Sequence, residues 1–344
     1  MRGIRNVPTL DKPQDVLAAV PHLLGFHPQD SLVVLCMEQR QTIATMRVDL
    51  PPVLHRRASA IQLVDAARGQ NADGVLLLVI GGGVAEPSAN GLPHSGLIEV
   101  MKETVSSQGM RTIFTAWAES TKAGARWHSY EDPDWTGTLP DPRATELAAA
   151  TAAAGLVTFA SREELAAQLA PAADEILARR TALLDDEPTG CHSDHDAPAA
   201  FRLVRDTIVA ASDRRDPLGD DEVVRLARAL SDNLVRDACL SFAFGSRADA
   251  AERLWLELTR GCPVSVRANP AVLLALSAYL RGDGSLASIA VDQALSAHPG
   301  HMLGTLLREA LDAGLAPERI HQVIHDSAIA EAERFLTADA ERRT

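Results

Sequence analysis

The chain has 344 residues, of which 46% are hydrophobic and 23% charged, a globular balance that excludes wholesale disorder and leaves room for two domains. Its 46 acidic residues against 33 basic ones set a formal net charge of -13 at pH 7, which repels a phosphate backbone and argues against nucleic acid as a partner. Aromatic residues make up 4%, too few for a base-stacking platform.

The first apolar stretch, 16–24, is broken by Pro21 and His22, so a signal peptide is not expected. No run approaches the ~18 apolar residues that a membrane span needs, and no membrane is expected. Cys36, Cys191, Cys239 and Cys262 lie far apart with no CxxC pair, the spacing of reduced thiols, so a cytoplasmic protein is expected.

Residues 30–37 form a short apolar run rich in β-branched side chains, and 42–50 alternate before Pro51-Pro52. The two predict a hairpin turning through Glu38-Gln39-Arg40-Gln41. Helical spacing follows over 56–69, with Ala60, Leu63, Val64 and Ala67 on one side. Residues 74–80 are continuously apolar and predict a central strand covered on both faces. A helix over 95–107 and a strand over 111–117 complete a layered α/β arrangement with a mixed sheet. The stretch 131–142 holds turn chemistry and reads as a connecting loop.

Beyond it the sequence is alanine-rich and helical, over 143–154, 161–170, 172–184, 199–212, 219–230, 232–243, 248–260 and 269–281. The expected organisation is an α/β domain over 1–140, alanine-rich helices packed on it over 141–184, a flexible acidic loop over 185–198, and an all-helical domain over 199–344. Within the last, Leu274, Ala275, Ala287, Ala294 and Pro299 fall at tetratricopeptide offsets, with a turn at Gly282-Asp283-Gly284-Ser285. Ala271, Ala278 and Val291 replace the usual large residues and no second copy follows, so a tetratricopeptide-like helical hairpin and an ordinary one both fit.

Catalytic motifs fail one by one. Gly81-Gly82-Gly83 follows the central strand, but Glu86 replaces the third glycine of a dinucleotide loop and Pro87 and Pro93 delay the helix; a plain loop is expected. Neither GxxxxGK[ST] nor GxSxG is present. His321 and His325 have zincin spacing, but Gln322 stands where the general base belongs. Cys191-His192-Ser193-Asp194-His195-Asp196 bunches potential ligands without a structural zinc spacing. No metal and no cofactor are expected.

The segment 18–35 is more informative. A helix carrying His22 stops at Gly25, and His27-Pro28-Gln29-Asp30 leads into the first strand. Turn chemistry accounts for most of it: Gly25 as C-cap, Phe26 packed inward, Asp30-Ser31 closing the turn. The histidines are what it leaves over.

The stretch Val-Pro-His-Leu-Leu-Gly-Phe-His-Pro-Gln-Asp-Ser-Leu-Val-Val strongly resembles the start of the actinobacterial domain-of-unknown-function family 4192. Further resemblances lie at Arg47-Val48-Asp49-Leu50-Pro51, Arg126-Trp127-His128-Ser129-Tyr130, Ser161-Arg162-Glu163-Glu164-Leu165 and 269–299. Members of that family commonly carry cysteines after the Trp-x-Ser-Tyr element; Glu131 to Gly137 holds none, so the resemblance implies no metal or redox role there. It implies an actinobacterial or phage host, in keeping with arginine over lysine, and no activity.

Two functions follow as expectations. The first is a non-catalytic interaction or regulatory protein, with a protein partner held by the helical domain. The alternative is a hydrolase-like enzyme in the α/β domain, with His22, His27, Asp30, Asp49, Trp127 and Tyr130 as candidate catalytic residues. The oligomeric state is open.

Overall fold

The structure is a computed structural model that describes residues 12–39, 41–83, 91–186, 197–211, 214 and 216–342. Contacts divide the chain into two compact units, 1–165 with 312–316, and 166–311 with 317–344.

The first unit opens with α1 (Pro13–Leu24), which Gly25 ends in the left-handed conformation at φ 78°. Then come β1 (Ser31–Glu38), β2 (Gln41–Asp49), α2 (Arg56–Gly69), β3 (Gly74–Ile80), α3 (Ser95–Ser107), β4 (Arg111–Ala118), β5 (Arg126–Ser129), β6 (Thr136–Thr138) and α4 (Glu146–Ala153). The sheet order is β2-β1-β3-β4-β5-β6. Only β3 and β4 run parallel, joined through α3; the remaining neighbours are antiparallel. The expected hairpin is β1–β2, with Glu38 opposite Gln41.

The period of two explains the layers. Leu32, Val34 and Cys36 of β1 and Val75, Leu77 and Val79 of β3 share one core with Leu63 and Val64 of α2 and Leu97 and Met101 of α3. Val33 and Leu35 turn to the other face and are just as buried. β3 has no exposed residue at all, as its unbroken apolar run requires. On that side α1 packs with β2 and α4.

The stretch read as a connecting loop holds β6, which extends the sheet beyond β5. Three residues are too few to display a period. Gly137 pairs with Trp127, and a Cβ there would stand 2.9 Å from the indole nitrogen, so the strand needs glycine at that point. The loop 312–316 belongs to this unit: the Gln70 amide donates to the Gly314 carbonyl, and Gly314, at φ 58°, lies directly over Ala66.

The second unit is helical. α5 (Arg162–Ala167) straddles the division, followed by α6 (Asp174–Asp185), α7 (Ala197–Ala210), α8 (Asp220–Ser231), α9 (Asn233–Cys239), α10 (Ala248–Gly261), α11 (Val264–Arg281), α12 (Gly284–Ala297), α13 (Met302–Asp312) and α14 (Pro317–Arg342). α11 begins five residues before the expected start; the helix runs through Pro270, where sequence rules place a boundary. Leu274, Ala275, Ala287 and Ala294 are all buried between α11 and α12. Gly282 caps α11 at φ 91°, and the Asp283 carboxylate accepts the Leu286 N–H to start α12.

α6 packs on α8 through a buried cation. Arg180 donates to Asp220 at 2.8 Å and to the Gly261 carbonyl at 2.8 Å, and Arg179 donates to the other Asp220 oxygen at 2.9 Å. Removing that carboxylate strands a buried guanidinium. Asp220→Ala is therefore expected to lower unfolding free energy by about 1–3 kcal/mol in urea denaturation. Asp206→Ala, which breaks an exposed pair with Arg205, should shift it by less than about 0.5 kcal/mol.

Candidate functional site

The candidate residues gather around one end of the sheet. The register places Ser31 opposite both Asp49 and Ile80, Ile80 beside Ala118, and Ala118 opposite Trp127. The carboxyl ends of the parallel pair β3 and β4 therefore meet the entry to β1 here, the position where open α/β sheets bind ligands.

The chain is pulled tight at this end. Asp30 sits at φ 41° and His94 at φ 58°, with Gly81 and Gly82 at φ 76° and 72° between them. Non-glycine residues in that region carry strain of about 1–3 kcal/mol each. The Asp30 carboxylate accepts the Gly82 N–H at 2.7 Å, and its carbonyl accepts the Leu50 N–H at 3.0 Å. The Gly81 N–H donates to the Ala118 carbonyl at 2.9 Å. Trp117 Nε1–H donates to the Gly81 carbonyl at 2.8 Å, and His94 Nε2–H to the Gly82 carbonyl at 3.1 Å. All four backbone groups of Gly81-Gly82 thus have protein partners, which leaves no N–H there to cradle an anion.

His22 is equally occupied. Its Nε2–H donates to the Pro142 carbonyl at 2.9 Å, which fixes the tautomer, and its Nδ1 accepts the Thr158 hydroxyl at 2.8 Å. It ties α1 to two segments more than a hundred residues away. His27 shares one hydrogen bond, Nδ1 to the buried Thr121 hydroxyl at 2.7 Å, and its backbone N–H donates to the Phe159 carbonyl at 3.0 Å. Its Nε2 has no hydrogen bond among the described residues. Burial first, then the neighbouring His22 and Lys122, push the His27 pKa below the ordinary imidazole value. At neutral pH it is therefore an uncharged base with one open edge.

The other candidates separate. Asp49 is 86% exposed and paired with Arg47 at 2.6 Å; Arg47 also donates to the buried Ser31 hydroxyl at 2.8 Å. Trp127 is 2% exposed and packs edge-on against Phe114 and Trp135; its indole nitrogen has no hydrogen-bond partner among the described residues. Tyr130 turns to the opposite face, packs against the α2–α3 core, and donates to the Pro93 carbonyl at 2.6 Å. The structure thus brings His22, His27 and Asp30 to one end and parts Trp127 from Tyr130. His94, Trp117, Thr121 and Thr158 complete the arrangement without a motif that marks them in the sequence; the signal nearby is the Gly81-Gly82-Gly83 run ahead of His94.

Among the described residues no group of three His, Cys, Asp or Glu side chains could hold a metal ion. The segment 191–196 lies outside them. His321 and His325 stack at 4.8 Å and both meet Phe244 edge-on, a pair of imidazoles without a third ligand. Chemically, the end of the sheet offers one neutral imidazole, and the hydroxyl bonded to it belongs to Thr121, which is buried away from solvent.

A family model described as a domain of unknown function (DUF4192) matches residues 13–318, and the chain belongs to that family. No curated protein and no solved structure matches it.

A methyl group tests how tightly this end is closed. A Cβ on Gly82 would come 2.4 Å from the His94 ring and 2.5 Å from Leu50, whereas one on Gly83 would meet nothing within 4 Å. Gly82→Ala is expected to lose more than about 1 kcal/mol and Gly83→Ala about zero, measured by thermal unfolding.

Proposed function

We propose that this member of the DUF4192 family is a non-catalytic interaction protein that holds a protein partner on its helical unit. The observation that carries this reading is the full occupation of His22 and of Gly81-Gly82 by bonds within the fold. An acid–base residue must keep a lone pair or proton for substrate, and His22 keeps neither. In the helical unit, α13 turns Met302, 79% exposed, and Leu306, 55% exposed, outward one helical turn apart, anchor spacing for an apolar partner surface.

The cytoplasm is the proposed compartment. Cys36, Cys239 and Cys262 are buried free thiols, and burial pushes Cys36 and Cys262 up to about 12, so they are inert. No helix among the described residues is long and apolar enough to cross a membrane. An actinobacterial or phage host is proposed on the arginine-rich composition.

One observation favours a second reading, an enzyme using His27 at the sheet end that also holds Asp30, without Asp49, Trp127 and Tyr130, which the fold turns elsewhere: the open Nε2 of His27 at the carboxyl ends of β3 and β4. A paired experiment separates the two. Affinity capture from lysate should recover a reproducible partner with the wild type and lose it with Met302→Ser/Leu306→Ser, while His27→Asn captures normally. A small molecule that raises the melting temperature of the wild type but not of His27→Asn, with no partner captured, would favour the enzyme.

A further inference from the structure

His301 directly precedes α13 and is 7% exposed. Its carbonyl accepts the Thr305 N–H at 2.9 Å, and its Nδ1 accepts the Gly304 N–H at 3.1 Å. That is N-cap geometry, in which a side-chain acceptor satisfies an orphan N–H of the first turn. Serine, threonine and asparagine accept at any ordinary pH; an imidazole accepts only while Nδ1 is unprotonated. The other ring nitrogen fixes that state, because Nε2–H donates to Asn269 Oδ1 on α11 at 2.9 Å.

The charges around the ring oppose its protonation. Burial acts first, then Arg236 of α9 and His298 of the preceding turn; together they hold His301 below the ordinary imidazole value against the opposing pull of a backbone hydrogen bond and of Asp237. Asp237 itself is engaged by Arg236, which donates to it from Nε at 2.8 Å and Nη2 at 2.6 Å. The first turn of α13 is close-packed: a Cβ on Gly304 would stand 3.1 Å from Leu295 of α12 and 3.5 Å from Val272 of α11. The Arg308–Asp292 pair at 3.0 Å holds the helix further along.

We propose that His301 is a titratable helix cap: neutral, it pins the first turn of α13 onto α11 and α12, and protonated, it releases that turn. A proton on Nδ1 converts the acceptor into a donor facing the Gly304 N–H, and brings positive charge to the positive end of the helix. Because the folded-state value is the lower one, docking is complete above the unfolded imidazole value of about 6.5 and is lost as pH falls below it. Release frees Gly304, the buried residue of that turn, beside the exposed Met302 and Leu306. The proposal needs no partner and stands apart from the interaction reading.

Hydrogen exchange of the full chain tests it, read as protection factors so that the chemical pH dependence cancels. Between about pH 7.5 and pH 5, α13 amides of the wild type should lose about fivefold or more in protection, the worth of an N-cap. Those of α10 should hold. His301→Asn, which places a non-titrating acceptor at the same position, should flatten the α13 response; His301→Ser serves if that variant does not fold. A wild type whose α13 protection does not fall, or a variant whose protection falls equally, overturns the proposal.

Discussion

The Asp30 carboxylate on the Gly82 N–H is the contact on which the α/β unit depends. At 2.7 Å it joins the residue that starts β1 to the turn that leaves β3, and it holds Asp30 in a left-handed conformation that an isolated aspartate would leave. Around it, Trp117 and His94 close the two glycine carbonyls. The segment before β1, both ends of the β3–α3 connection and the end of β4 are tied by these bonds at the end of the sheet where ligands usually bind. A hydrogen bond contributes about 0.5–1.5 kcal/mol net, so the closing of this end stabilises the fold and, by the same bonds, removes groups that a substrate would need.

Most of the sheet was legible in the sequence. β1, β3 and α3 follow from long apolar or amphipathic runs, and the β1–β2 turn from its polar tetrad. β5 and β6 were not, because four and three residues display no period. Turn chemistry in 18–35 also read through: Gly25 caps α1 and Phe26 is buried. What one sequence could not supply was the partner of each histidine. Thr158 lies 136 residues from His22 and Thr121 lies 94 from His27, and neither carries a motif. The phosphate-loop question at Gly81-Gly82 turned on missing consensus residues in the sequence; in the structure it turns on who accepts and donates at each backbone group.

The helical unit uses its polar side chains at helix ends rather than in a cleft. Asp283 starts α12, Arg180 and Arg267 donate to the Gly261 and Cys262 carbonyls at the end of α10, and His301 starts α13. Of these, only the imidazole changes its hydrogen-bonding role near neutral pH. α13 also carries Met302 and Leu306 outward, so the element proposed to meet a partner is the one capped by a histidine.

The central claim is that histidines at the sheet end serve the fold. His22→Ala tests it most directly, because it strands the Thr158 hydroxyl and cuts the tie to the Pro142 carbonyl, which keeps the Thr145 hydroxyl at 2.8 Å, without touching the sheet. Three of the four tryptophans, Trp117, Trp127 and Trp135, lie in the α/β unit, so denaturant unfolding followed by tryptophan fluorescence reports on it. A loss of about 1–3 kcal/mol is predicted. A variant within about 0.5 kcal/mol of the wild type would contradict the account and return His22 to the pool of groups free for chemistry.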